Sequence, residues 1–333
     1  MNNPNEKNVK TDGTSENFGG ITSENADTGY LKFTKIYRGE YEVKIKYEYR
    51  EVEIKDEYRS IIKSVTVPPK YNGLPVTELA FRAFYQCTNL EKISLPSSII
   101  KVGAYSFEET SITDITIPTG VTSIENGTFC ECTKLSNVVL PDTIKSIGSD
   151  AFSYCSFLKN IVLPEGMEVL GERAFKDAGL ESIELPDNIS VVPSYCFQGC
   201  KFLKSAKLPS KLIRIDNCSF VSCTSLTNIT LPNSIQEIGK YAFSLCISLE
   251  NLTIPKNVKK LGMLFAGNKN VKLIFEDTSG WQKRYVDSSN NFFGDWENID
   301  PAVMADSDSF KNLMNTIYTD SDGNEYYYEF QKV

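Results

Sequence analysis

Six cysteines fall in one slot of this sequence, each three residues after a phenylalanine: Cys87, Cys132, Cys155, Cys200, Cys223 and Cys246. Thiols in such numbers could bind a metal or carry redox chemistry. The spacing argues against both. No C-x-x-C occurs, and the one close pair, Cys130 and Cys132, is a C-x-C with no second pair at zinc distance. Nine cysteines in total cannot all pair within one chain. Elsewhere the slot holds Thr110, Ala178 and Asn268. A slot that accepts these residues selects a small, mostly apolar side chain, which a free cysteine is. The chain has no histidine, so histidine triads, histidine metal ligands and histidine general bases are excluded. The nearest approach to a carboxylate set is Glu181, Glu184 and Asp187 in one stretch. Asp320 and Asp322 lack the 12-residue ligand pattern of a calcium loop. No catalytic, cofactor-binding or metal-binding residue emerges.

The slot belongs to a repeat. Proline closes a short apolar run at Pro68, Pro96, Pro118, Pro141, Pro164, Pro186, Pro209, Pro232 and Pro255. After the first interval the step is 22 or 23 residues. Phenylalanine keeps the same beat at Phe84, Phe107, Phe129, Phe152, Phe175, Phe197, Phe220 and Phe243, with Phe265 after them. The unit reads P-x-x-[IV]-x-x-[IV]-G-x-x-A-F-x-x-C-x-x-L-x-x-I-x-L, a period in the leucine-rich-repeat range that signals a solenoid. The stretch before each proline is a short strand with alternate residues inward. Proline has no backbone donor and ends it. Glycines at 103, 148, 171, 239 and 262 are expected to turn the chain with positive φ. The residue before each phenylalanine is mostly small and admits the next coil closely. Coils stack about 4.7–4.9 Å apart, so the phenylalanines are predicted to form one buried spine.

The 333 residues are 41% hydrophobic with a net charge of −8. That balance argues against nucleic acid or an anionic membrane as the main partner. No apolar run is long enough to insert in a membrane, and residues 1–20 show no apolar core of a signal peptide. Residues 1–29, polar and rich in Asn and Gly, read as a disordered tether. Residues 30–64 read as an N-terminal β cap, with alternation through Tyr41, Tyr47, Tyr49, Val52 and Ile54. The solenoid occupies 65–275, as about nine units. Residues 276–333 read as a C-terminal cap, with Trp281 as a plug and a hairpin around Asp322 and Gly323. The expected fold is thus a repeat solenoid, mainly β with short helical or irregular returns and β-rich caps.

Residues 146–164, "SIGSDAFSYCSFLKNIVLP", their copies and the stretch 67–84, "VPPKYNGLPVTELAFRAF", resemble the BspA-like, or surface-antigen type, leucine-rich-repeat family. The resemblance covers about residues 65–275. It implies a non-catalytic scaffold at the cell surface or outside the cell, linked to adhesion and to binding a host or matrix protein, or a glycan. It implies no cofactor. An antigenic coat role, or a polysaccharide-active enzyme using Glu184, are the other readings.

Outward strand positions form two columns. The candidate partner-binding residues among them are Asn137, Asn160, Ser182, Ser205, Asn228 and Asn251 in the first column and Glu184, Lys207 and Thr230 in the second. Both columns lack aromatic rings, which gather at the chain ends, in Tyr58, Tyr285, Phe292, Phe293, Trp296, Tyr326, Tyr327 and Tyr328. A partner site on the C-terminal cap is therefore the competing location. Five N-glycosylation sequons, at Asn126, Asn188, Asn217, Asn228 and Asn251, arise partly because the repeat itself spells N-[IL]-T.

Overall fold

A computed structural model describes residues 31–37, 48–71, 73–268, 271–287, 292–314, 318–319 and 325–333. The expected tether at 1–29, Tyr41, Tyr47 and the residues around Asp322 lie outside the described residues. The chain winds a β-solenoid of about ten turns with little helix.

The turns build three ladders. The first is the exposed sheet of three-residue strands such as Asp114–Thr116, Ser182–Glu184 and Ser205–Lys207, paired in parallel. In each of these strands the middle residue is buried and its neighbours are exposed, as a period of two requires. The pairing comes in short blocks, and residues 160–162 keep the alternation without joining a strand ladder. Proline ends each strand by opening a tight turn, with its carbonyl accepting from the amide three residues on, as in Pro141 to Ile144 at 3.1 Å. The second ladder is built from two-residue strands, from Lys101–Val102 to Lys260–Leu261. The third lies at the phenylalanine corner. There the Phe129 amide donates to the Ala151 carbonyl of the next coil at 2.8 Å, and Phe152 donates to Ala174 at 2.8 Å.

The spine forms as the repeat predicts. All eight rings from Phe84 to Phe243 are fully buried. Successive rings stack with centroids 5.2–5.6 Å apart and planes within 17°. The consensus glycines behave otherwise than expected. None of Gly103, Gly148, Gly171, Gly239 and Gly262 has a positive φ. A Cβ at Gly171 would lie 2.3 Å from the Ser149 backbone nitrogen, and one at Gly103 would lie 2.5 Å from the Ala80 carbonyl oxygen. These glycines serve close approach between coils. Positive φ falls instead two residues before and two after each spine phenylalanine, as at Asp150 (φ 56°) and Tyr154 (φ 61°) around Phe152. The strain is offset by hydrogen bonds, because both amides then donate to the next coil: Asp150 to Glu172 at 2.9 Å and Tyr154 to Lys176 at 2.7 Å.

The ends are closed by different means. On the N-terminal side Glu48–Ile54 pairs antiparallel with Leu31–Tyr37 and parallel with Leu74–Leu79, burying Val52 and Ile54. On the C-terminal side Glu325–Lys332 pairs antiparallel with Lys260–Leu261 and ends the second ladder. Trp281–Asp287 and Phe292–Asn298 extend that antiparallel sheet, and Tyr318–Thr319 pairs back on Glu325–Lys332. The last exposed-sheet strand, Lys272–Phe275, is covered by two short helices, α1 (Pro301–Ala305) and α2 (Ser307–Met314). The Leu273 amide donates to the Ser307 hydroxyl at 2.9 Å, and Lys311 donates to the Val271 carbonyl at 3.0 Å. Phe275, Phe310 and Phe330 meet edge to face beneath them, with Trp281 buried against Phe275 at 5.7 Å.

Candidate functional site

The exposed sheet carries all nine sequence-derived candidates, and every one of them is exposed. Stacking puts Ser182, Ser205 and Asn228 in register on successive coils, and Glu184 beside Lys207. Two adjoining shallow depressions, of about 610 and 670 Å³, open on this face and share Ser182, Glu184 and Lys207. Asn160 lines one, while Ser205, Asn228 and Thr230 line the other. Asn137 and Asn251 lie outside both.

The carboxylates of this region are each engaged separately. Glu184 is ion-paired with Lys207, which raises the lysine pKa. Glu181 lies 3.2 Å from Lys159 and 3.3 Å from Lys204, and their hydrogen bonds hold its pKa below the usual range. Asp187 accepts from the Ser210 amide at 2.9 Å and its hydroxyl at 3.1 Å, and is lowered likewise. A general acid needs a raised pKa; Glu181 and Asp187 are shifted the opposite way. Neither depression is lined by an aromatic ring, so neither offers an aromatic stacking platform for a sugar.

Among the described residues no group of histidine, cysteine, aspartate and glutamate side chains could hold a metal ion. All nine cysteines are free thiols. The slot proves to be more than small. The Cys132 thiol donates to the Phe107 carbonyl of the preceding coil at 2.9 Å, and Cys155, Cys200, Cys223 and Cys246 repeat the bond at 3.0–3.1 Å. Asn268 does the same to the Phe243 carbonyl at 3.1 Å. Burial pushes the thiol of Cys87 up to about 11 and that of Cys132 up to about 12, and drives Cys155, Cys196 and Cys223 well above their ordinary value.

The end aromatics that the structure describes are engaged inside the cap. Tyr328 is buried, donates to the Tyr285 hydroxyl at 2.8 Å and lies under Lys283, whose ammonium is 4.1 Å from the ring centre. Trp296 is half-buried under Arg284, 4.3 Å from its ring. The side chains of Phe292, Phe293, Tyr326 and Tyr327 lie outside the described residues. Of the sequons, Asn126 and Asn217 accept from the next coil's Ser149 and Lys240 amides at 2.8 Å each.

Sequence reasoning missed two residues. Phe157 and Phe202 lie on the margin of the exposed sheet and are 63% and 61% exposed. Their slot, just before the repeat leucine or isoleucine, otherwise holds Asn89, Ser111, Lys134, Gly179, Ser225 and Ser248. An aromatic in a polar column was the available signal.

Among curated proteins none matches this chain. Among solved structures it is similar to a leucine-rich repeat protein from Bacteroides ovatus, at 30% identity over 73% of this chain, with a TM-score of 0.63. The chain spans 65% of the length of that protein. It is also similar to the Treponema pallidum leucine-rich repeat protein (26% identity, 65% of this chain and 87% of that one, TM-score 0.47). A leucine-rich cell surface protein from Faecalibacterium prausnitzii matches at 22% identity, over 72% of this chain and 79% of its own, with a TM-score of 0.40. No described helix is long and apolar enough to cross a membrane. Six copies of the BspA type leucine rich repeat region match residues 58–178 and 145–272, and on that match, together with the stacked coils, the chain belongs to the BspA-type leucine-rich repeat family.

Proposed function

We propose that this chain is a non-catalytic, protein-binding scaffold of the cell surface or the secreted space, and that it binds through the exposed sheet. The observation that carries this reading is the joining of two depressions across successive coils at Ser182, Glu184 and Lys207. Repetition supplies the frame, and the outward residues that differ from coil to coil supply the recognition. Polar side chains in register offer hydrogen bonds to a partner's surface, while Val162, 84% exposed, supplies apolar contact beside them. The surface or secreted setting is what membership of the family implies.

The test is binding of the purified chain to a panel of extracellular-matrix proteins, with a Ser182→Arg/Asn228→Arg double variant as control. Saturable binding that the variant loses, with an unchanged circular-dichroism melt, supports the sheet as the binding face. Equal binding by the variant overturns it. Hydrolysis of a polysaccharide that disappears in Glu184→Gln would overturn the non-catalytic reading.

A further inference from the structure

Two interior coils of the solenoid are one residue short between the spine phenylalanine and the exposed strand. They are the coils of Phe107 and Phe175, each 22 residues before the next spine ring. In the second, Ala178, Gly179 and Leu180 are all buried, while Phe157 and Phe202 on the coils either side are exposed. The two phenyl rings thus stand on coils two steps, or about 9.5 Å, apart, with the shorter coil between them. Position 179 has no room for a side chain, because a Cβ there would lie 2.1 Å from the Ser156 carbonyl oxygen of the preceding coil. The other short coil serves as an internal comparison. Its Thr110 and Ile112 are buried like Ala178 and Leu180, with Ser111 half-buried between them, but the flanking positions are Asn89 and Lys134. The spacing makes the short coil; the flanking phenylalanines are specific to one of the two.

The charge around these two rings differs from that of the whole chain. The strip holds Lys159, Lys201 and Lys204, all exposed, and one carboxylate, Glu181. Glu181 is already shared between Lys159 and Lys204. A net positive strip thus borders exposed aromatic rings in a chain of net charge −8. We propose that the surface between Phe157 and Phe202 docks an acidic protein segment carrying an apolar anchor residue, the anchor seated between the rings and the carboxylates on the lysines. This rests on the reading of the chain as a binding scaffold, but it places recognition on the sheet's margin, beside the sheet face itself.

The test pans a phage-displayed dodecapeptide library on the purified full chain, then measures the enriched peptides by fluorescence polarisation. The proposal expects acidic peptides with a central aliphatic or aromatic residue. Their affinity should fall roughly tenfold or more in Phe157→Ser/Phe202→Ser, fall again between low and high salt, and not fall in Ser182→Arg/Asn228→Arg. Both phenylalanines are exposed, and an unchanged thermal melt confirms that the variant folds. The proposal is overturned by neutral or basic peptides, by no enrichment, or by peptides that the phenylalanine variant binds equally well. Peptides lost only in the serine–asparagine variant would also overturn it, while leaving the sheet face standing as a binding site.

Discussion

At the scale of a residue, the cysteines are where chemistry and architecture part. A thiol that donates to the carbonyl of the preceding coil while fully buried stays protonated. Burial holds Cys132 near 12, whereas an unfolded thiol titrates near 8.5. Above about pH 8.5 the unfolded chain therefore loses protons that the folded chain keeps, and stability falls as pH rises toward 12. The ceiling on that slope is about 1.4 kcal/mol per pH unit per thiol. Lysines and tyrosines titrate in the same window, so the test is a difference. The stability gap between the native chain and Cys132→Ala, measured by urea unfolding, should narrow steadily from pH 8 to pH 10. A gap independent of pH would mean that the Cys132 thiol is not held in its neutral form.

At the scale of an element, the coil tells which parts of the fold a sequence displays. Proline and phenylalanine columns were legible because each marks a position with one physical demand, a strand end or a core-filling ring. The glycines were misread because glycine answers two demands, positive φ and absent bulk, and only the packing of coil on coil distinguishes them. Gly171→Ala should cost about 1–3 kcal/mol through overpacking, since its Cβ would meet the Ser149 nitrogen at 2.3 Å. Ser222→Gly, at a position whose φ is 62°, should change stability by less than about 1 kcal/mol, because relieved strain offsets added chain entropy. Equal shifts of the denaturation midpoint in the two variants would contradict this assignment. The candidate face was legible in the same way, since strand alternation alone placed Asn160, Ser182 and Lys207 outward. The depressions were not, because their extent depends on how far neighbouring coils recede. Helices α1 and α2 were not legible either. Residues 299–314 carry no repeat beat, and their apolar positions, Met304, Phe310 and Met314, acquire meaning only against the end of the sheet they cover.

At the scale of the whole molecule, the solenoid is held by neighbours 22–23 residues apart and by its two ends, so its stability is close to a sum over coils and their interfaces. Removing residues 277–333 strips Glu325–Lys332 from Lys260–Leu261 and α2 from Lys272–Phe275. Hydrogen exchange of that truncated chain should show lost protection in the last two coils, with the coils around Phe129 and Phe152 still protected. Uniform loss along the chain would mean that the coils unfold as one unit. Among the described residues the two closures touch only the terminal coils, and that has a consequence for descent. A coil gained or lost in the interior presents each cap with an equivalent surface, so unequal recombination between coding segments that spell Phe, Cys, Leu and Pro at the same beat is nearly silent for folding. Each such event lengthens or shortens the molecule by one inter-strand spacing, about 4.8 Å, and sets new neighbours side by side on the exposed sheet. Lineages can thus alter reach in fixed steps and reshuffle recognition by rearrangement as well as by point substitution.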